Sequence, residues 1–145
     1  MTPIEQKLKA VAPAVFPGTP VLFAYLYGSY AKTVPHLYSD LDIGIYIRDL
    51  DIEACLNLEL SLAVRLDEQL NHRIQTEVRI LNHLPLSVKG RILGEARLIY
   101  SIDDEQRVAF ETFVRRTYFD FLPVILHHRQ AYIKKIVSES QNGIS

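Results

Sequence analysis

Residues 22–50, LFAYLYGSYAKTVPHLYSDLDIGIYIRDL, decide the fold of this chain. The apolar run at the start predicts a buried strand, and Gly28-Ser29 predicts a turn that opens a short helix. The second half of the stretch alternates apolar and polar side chains and predicts a second strand. Asp40 and Asp42 share one face of that strand, because successive side chains point to opposite sides. The segment therefore predicts two strands joined by a turn, with two carboxylates on one face.

The opposite face of the second strand is apolar and predicts a sheet that packs on helices. It carries Leu41, Ile43, Ile45 and Ile47. Two neighbouring carboxylates on the open face repel each other unless a cation lies between them, and hard oxygen ligands suit Mg²⁺ or Mn²⁺. Two such ions, about 3.5–4 Å apart, clamp the attacking and leaving oxygens in phosphoryl transfer. For an isolated D-x-D pattern, a solvated pair at a turn is the competing interpretation.

The glycine and serine favour the catalytic interpretation. Glycine lets the backbone approach a ligand closely, and a serine at a helix start offers its hydroxyl and nearby N–H groups to a phosphate. A strand, then Gly28-Ser29, then a second strand with Asp40 and Asp42 resembles the DNA polymerase beta superfamily of nucleotidyltransferases. The resemblance implies a metal-dependent transfer of a nucleotidyl group.

Glu77 is the candidate for a third acid. Residues 73–81 alternate as a strand does, and Glu77 is the one acid among them. The superfamily uses an acid on a following strand to help hold one metal ion and to act on the proton of the attacking hydroxyl. Relatives more often have Asp there, so Glu77 is longer by one methylene. The alternative is an exposed glutamate paired with Arg79, since such surface pairs are common and contribute little stability.

Over most of its length the chain resembles the minimal nucleotidyltransferase (MNT, MntA-type) antitoxins that are paired with HEPN-domain RNase toxins. The resemblance rests on a G-S-x-A block, an S-D-x-D block and the residues around and after the third acid, namely Gly28, Ser29, Ala31, Ser39, Asp40, Asp42, Glu77, Leu81, Asn82 and Pro85. One departure is that Lys32-Thr33 stands where relatives often have Arg-Gly. Lys32 keeps the positive charge but lacks the bidentate fork of arginine.

That resemblance implies an adenylyltransferase that transfers AMP from ATP to a hydroxyl, expected to be a tyrosine, of a HEPN toxin and so silences it. Its implied metal ligands and catalytic acids, which would hold two Mg²⁺ ions or Mn²⁺, are Asp40, Asp42 and Glu77. Its implied nucleotide-binding residues are Gly28, Ser29, Lys32 and Ser39. Two alternatives remain open: a nucleotidyltransferase acting on a small molecule such as an aminoglycoside, and an antitoxin that binds its toxin without chemistry.

Composition limits the partners. The 145 residues are 48% hydrophobic with a net charge of −1, and the mean hydropathy is +0.05 with an isoelectric point near 6.5. We expect no direct polymeric nucleic-acid substrate, because such binding needs many phosphate contacts and no basic run is present. Nothing predicts a membrane span or a signal peptide. The single Cys55 excludes an intrachain disulfide, so a reducing cytoplasm is expected. The resemblance to the antitoxins implies that it is a prokaryotic one.

The predicted fold is α/β: a polymerase-beta-like nucleotidyltransferase core with a small mixed sheet flanked by helices, plus a long C-terminal helix. We expect residues 1–102 to form the catalytic core and residues 103–145 a helical extension packed on it, within a single domain. The apolar and aromatic stripe of the last helix is interpreted mainly as core. Because residues 103–137 carry more large apolar side chains than one buried stripe requires, this helix is also expected to help hold the partner, and residues 138–145 are expected to be a disordered tail. The predicted elements are helices at 3–12, 51–70, 85–94 and 103–137, a short helix after Ser29, and strands at 20–27, 40–48, 74–81 and 97–100.

Overall fold

The computed structural model describes residues 2–28 and 40–142. In chain order its elements are α1 (Pro3–Val15), β1 (Val21–Tyr27), β2 (Leu41–Ile47), α2 (Ile52–Gln69), β3 (Thr76–Ile80), α3 (Leu86–Glu95), β4 (Arg97–Ser101) and α4 (Asp104–Asn142). The α/β class, the mixed sheet and the long C-terminal helix are confirmed. The short helix expected after Ser29 lies outside the described residues.

The four strands form one sheet in the order β3-β2-β1-β4. β1 is antiparallel to β2 and to β4, whereas β2 and β3 are parallel. The parallel pair is possible because α2 carries the chain back across the sheet between β2 and β3. The register places Tyr27 opposite Asp42, and Asp42 opposite Glu77. Three neighbouring strands therefore bring these side chains to one end of the sheet.

Helices cover both faces of the sheet, as the apolar pattern of the strands requires. On one face α1 and α2 pack against the strands through fully buried residues such as Leu8, Leu62 and Leu66. On the other face α3 and the first turns of α4 pack through Ile92, Leu93 and Val114. The second face is the one that carries the acids, so α3 lies over the candidate site.

Two helix starts agree with the sequence pattern. The Thr2 hydroxyl accepts a hydrogen bond from the Glu5 amide at 3.2 Å, directly before Pro3 at the first helical position. At the start of α4, Asp103 accepts bonds from the backbone and side-chain nitrogens of Gln106, at 3.0 and 2.9 Å. Both satisfy amide donors that a helix start leaves without an intrahelical partner.

Side chains complete the sheet beyond the ends of its hydrogen-bonded strands. The Asn82 amide group accepts from the Ile47 amide at 3.0 Å and donates to the Ile47 carbonyl at 2.8 Å, in the manner of a strand neighbour. On the edge strand β3, the Ile80 amide donates to the Glu59 carboxylate at 3.0 Å. These bonds satisfy backbone groups that would otherwise be open to pairing with another chain.

The last helix differs from the prediction in two ways. It continues to Asn142, so the predicted disorder of its last residues is wrong at least that far. The stripe is also core only in its first part, since every residue from 126 to 141 is exposed. A helix of 39 residues is about 58 Å long, whereas α3 beside it spans only about 15 Å. Among the described residues, no helix is both long enough and apolar enough to cross a bilayer.

Candidate active site

The candidate site lies where β1, β2 and β3 present Tyr27, Asp42 and Glu77 side by side on the face covered by α3. Neighbouring strands are about 4.8 Å apart, so the two acids are close across the β2–β3 pair. Asp40 precedes β2 by one residue and is exposed. Asp42 and Glu77 lie on neighbouring strands as predicted, whereas Asp40 lies just outside the strand on which it was expected. The catalytic roles of all three acids stay predictions.

The Asp42 carboxyl group lies in an environment that disfavours its ionisation. Partial burial raises the pKa of its carboxyl group, and the negative charges of Glu77, Asp40 and Glu95 raise the pKa further. The Arg79 guanidinium opposes that change. Crowded carboxylates that disfavour one another's ionisation are typical of cation-binding and catalytic sites.

The donor chemistry fits a divalent cation, because carboxylate oxygens are the ligands that Mg²⁺ prefers. Within residues 2–28 and 40–142, however, no three acidic, histidine or cysteine side chains converge closely enough to hold an ion. The assignment of metal ions to Asp40, Asp42 and Glu77 therefore rests on donor type and on electrostatic crowding.

Gly28 is required at the end of β1 for two reasons. Its φ is +75°, which L side chains rarely adopt, and a Cβ built there would lie 2.2 Å from Oδ2 of Asp42. Its amide donates to the Glu95 carboxylate at 3.2 Å. The absence of a side chain lets the Gly28 backbone lie directly against Asp42, and the hydrogen bond to Glu95 joins Gly28 to α3.

Three of the predicted nucleotide-binding residues, Ser29, Lys32 and Ser39, lie outside the described residues, and their roles stay predictions. Among tyrosines near the motif, Tyr46 stacks on Phe23 with ring centroids 4.7 Å apart and planes inclined by 5°. It also contacts Phe110 at 4.9 Å. Tyr46 is therefore part of the packing between β2 and α4.

Sequence reasoning missed a cavity that adjoins the acids. Its volume is about 470 Å³, and it lies between the sheet and α3. It is lined by Tyr27, Arg79, Val88, Arg91, Ile92 and Glu95. The α3 members recur at intervals of three and four residues, so they share one helix face, and that spacing was visible in the sequence. What the sequence did not show is that this face lies over the acids.

Tyr27 and Arg79 join the cavity to the acid group. Burial raises the pKa of the Tyr27 hydroxyl, and the charge of Asp42 raises the pKa further, whereas a hydrogen bond with Arg79 lowers it. Arg79 thus bonds to Tyr27 and lies within electrostatic range of Asp42. The sequence alternative that paired Arg79 with Glu77 gains no support from this arrangement.

The fold and the acids on adjacent strands define a class of nucleotide-transferring domains. Residues 7–105 match the family model described as Polymerase beta, Nucleotidyltransferase. This match covers more than half of the chain, including the glycine turn and all three acids. The chain therefore belongs to the polymerase beta nucleotidyltransferase family, and the expected superfamily membership is confirmed.

Solved structures of toxin–antitoxin systems share the fold. A chain of a toxin–antitoxin structure with AMP-PNP is 21% identical, with a TM-score of 0.61 and coverage of 92% of this chain and 98% of that chain. A structure of a tri-AMPylated Shewanella oneidensis HEPN toxin in complex with an MNT antitoxin gives 19%, a TM-score of 0.58 and the same coverages. An MntA–HepT toxin–antitoxin gives 18%, 0.56, 92% and 96%. No curated protein matches this chain.

Proposed function

We propose that this chain is an adenylyltransferase antitoxin that transfers AMP from ATP to a tyrosine hydroxyl of a HEPN-type RNase toxin and so neutralises it. The observation that carries the proposal is the pairing of Asp42 with Glu77 across β2 and β3, directly against the Gly28 turn. Family membership supports the transfer of a nucleotidyl group. The AMPylated toxin seen with an MNT antitoxin supports the acceptor class.

The residues suit an in-line displacement at the α-phosphorus of ATP. The acceptor oxygen forms a bond to that phosphorus, the bond to the bridging oxygen of the β-phosphate breaks, and pyrophosphate leaves. In the proposal Glu77 takes the acceptor proton, since its side chain is exposed beside Asp42 and is free to meet an incoming hydroxyl. Ser29, Lys32 and Ser39 are proposed to contact the nucleotide. Divalent ions held by Asp40, Asp42 and Glu77 would neutralise phosphate charge.

The distal part of α4 is the proposed contact surface for the toxin. The face through which Val114 and Tyr118 pack continues at helical spacing through Leu122 and Ile125 to Ile133 and Ile136. The last two residues are about half exposed, at 53% and 47%. An apolar face of this kind on a projecting helix, interrupted here by Arg129, is typical of a protein contact site.

Charge defines the partner surface further. Residues 126–141 carry Arg129, Lys134 and Lys135 against one acid, Glu139. An apolar face flanked by positive charges fits a toxin surface that is apolar at its centre and acidic at its rim. The toxin bound there would supply the acceptor hydroxyl.

Transfer of label from ATP tests the proposal. The purified chain is incubated with a HEPN-type RNase toxin, Mg²⁺ and ATP labelled at the α-phosphate. Label should appear on the toxin with the native chain and with the control Asp49→Asn, an exposed acid beyond the far end of β2. Asp42→Asn should abolish labelling. If Asp42→Asn neutralises the toxin as well as the native chain does, neutralisation occurs by contact and the proposal is wrong.

A further inference from the structure

The cavity between α3 and the acid-bearing face of the sheet has the features of a phosphate site. It opens beside Asp42 and Glu77, because Tyr27 and Arg79 belong both to its wall and to the surroundings of those acids. Arg79 is two residues after Glu77 on β3, so the two side chains share a face. Any group leaving the acids toward α3 enters this cavity.

Two arginines from different elements line the cavity. Arg79 comes from β3 and Arg91 from α3, and both are exposed. The ion pairs found among the described residues include neither of them. Among the described residues that line the cavity Glu95 is the one acid, so two positive charges face one negative charge there and an anion can be bound. Guanidinium groups bind phosphate oxygens through parallel N–H donors, which makes phosphate the fitting anion.

We infer that Arg79 and Arg91 bind the β- and γ-phosphates of the nucleotide and retain them as the leaving pyrophosphate. The inference rests on the proposed nucleotidyl transfer and adds to it the pair of cations that receives the leaving group. The position of the cavity favours the phosphates, and not the acceptor, as its occupant. The cavity is closed on one side by α3, and its lining residue Glu95 bonds to Gly28, a predicted nucleotide-binding residue.

Glu95 is the third charged residue that lines the cavity, and its replacement provides an independent test of the inference. Its carboxylate accepts the Gly28 amide at 3.2 Å, so it both orients the turn and places negative charge where an anion would bind. Glutamine at this position keeps an oxygen to accept that bond and removes the charge. Glu95→Gln should therefore strengthen phosphate binding, whereas loss of either arginine should weaken it.

The test measures binding of Mg²⁺-pyrophosphate, and separately of AMP, to the full chain by calorimetry without toxin. Arg79→Gln and Arg91→Gln should each weaken pyrophosphate binding roughly tenfold, the loss expected for one charged hydrogen bond. AMP affinity should change by less than about twofold, because AMP lacks the β- and γ-phosphates. Glu95→Gln should tighten pyrophosphate binding. The matched control is Arg48→Gln, since Arg48 lies directly after the far end of β2.

Several results would overturn the inference. If Arg91→Gln leaves pyrophosphate affinity unchanged, or if the variants lose equal affinity for pyrophosphate and for AMP, the arginines do not bind the β- and γ-phosphates. A raised KM for the toxin with unchanged pyrophosphate affinity would make the cavity an acceptor site. If Arg79→Gln unfolds, Arg91→Gln and Glu95→Gln decide the matter. Failure of the proposed function is separable: a toxin that stays unmodified while the pyrophosphate pattern holds refutes the acceptor and leaves the cavity assignment standing.

Discussion

Asp42 lies in an unfavourable electrostatic environment, directly against the backbone of Gly28. Gly28 has no side chain because one would collide with the Asp42 carboxylate. Glu77, Asp40 and Glu95 all disfavour its ionisation. A folded chain that keeps such a group forgoes some stability, which is typical of residues retained for function. Replacement of Asp42 should therefore raise stability and lower activity.

Asp42→Asn should make the protein more stable at neutral pH while abolishing transfer. The expected gain in the free energy of unfolding is about 0.2–1 kcal/mol, the range for like charges on neighbouring strands. Because the folded-state pKa of Asp42 is raised, its charge opposes folding at neutral pH, and this effect disappears as the pH falls below the pKa of the unfolded chain. Urea unfolding of Asp42→Asn and of the native chain, at pH 7 and near pH 3, measures the difference in their stability at each pH.

Magnesium supplies the control for that variant. A ligand that binds only the folded state raises the melting temperature. Added Mg²⁺ should therefore stabilise the native chain and the Asp49→Asn control, and should have little effect on Asp42→Asn. An Asp42→Asn protein that is less stable than the native chain at pH 7 would show that the carboxylate contributes to folding and is not crowded.

Glu77→Gln tests the role of the third acid. Because the proposed role is to receive the acceptor proton, the amide should lower kcat by about 10²–10⁴-fold with little change in ATP affinity. Single-turnover transfer to the toxin and direct ATP binding are measured side by side. A normal kcat with weakened ATP binding would place Glu77 in substrate binding alone.

At the scale of elements, α4 approaches α3 closely at one glycine, Gly90. A Cβ at Gly90 would lie 2.2 Å from Cδ2 of the Tyr118 ring, so glycine lets the two helices approach. Gly94, on the same helix, has no atom within 4 Å of such a Cβ. The two glycines therefore form a natural pair of test and control.

Gly90→Ala should destabilise the protein by about 1–3 kcal/mol, since overpacking outweighs the better helix propensity of alanine. Gly94→Ala should stabilise it by up to about 1 kcal/mol, because only the propensity changes. Chemical denaturation of both variants measures the difference. A Gly90→Ala protein as stable as Gly94→Ala would mean that α3 and α4 do not pack closely at Tyr118.

The sequence predicts the strands and the shared face of the acids, because alternation in β2 and β3 fixes side-chain direction locally. It does not predict the cavity. Whether Arg91 and Glu95 lie over Asp42 depends on how α3 crosses the sheet, which is determined by packing between elements distant in sequence. The residues of the acid face could therefore be named beforehand, whereas their α3 neighbours could not.

At the scale of the whole molecule, α4 extends well beyond the part of the chain on which it packs, and residues 126–141 are exposed. The amphipathic pattern of α4 predicted a buried stripe, which is observed at Val114, 1% exposed, and in part through Tyr118 to Ile125, but not from residue 126 to residue 141. Periodicity shows which side chains share a helix face but not what covers that face. In a single chain nothing among the described residues covers Ile133 and Ile136, which is why a partner is proposed there.

Ile133→Glu with Ile136→Glu should weaken toxin binding at least about tenfold, as expected for charges placed at the centre of an apolar contact. The stability of the isolated chain should change by less than about 0.5 kcal/mol, because both positions are exposed. Ser138→Glu, off that stripe, is the control. Binding is measured by surface plasmon resonance, and unaltered affinity of the double variant would place the toxin elsewhere.

Covalent transfer of AMP to a protein changes the mass of that protein, so the intact mass of the toxin is the decisive measurement. A HEPN-type toxin is weighed by mass spectrometry after incubation with the native chain, Mg²⁺ and ATP, and its RNase activity is assayed in the same sample. We expect a toxin that is heavier by one or more whole AMP units and inactive as an RNase. A toxin of unchanged mass, whether inactive through contact alone or still active, would rule out the proposed transfer.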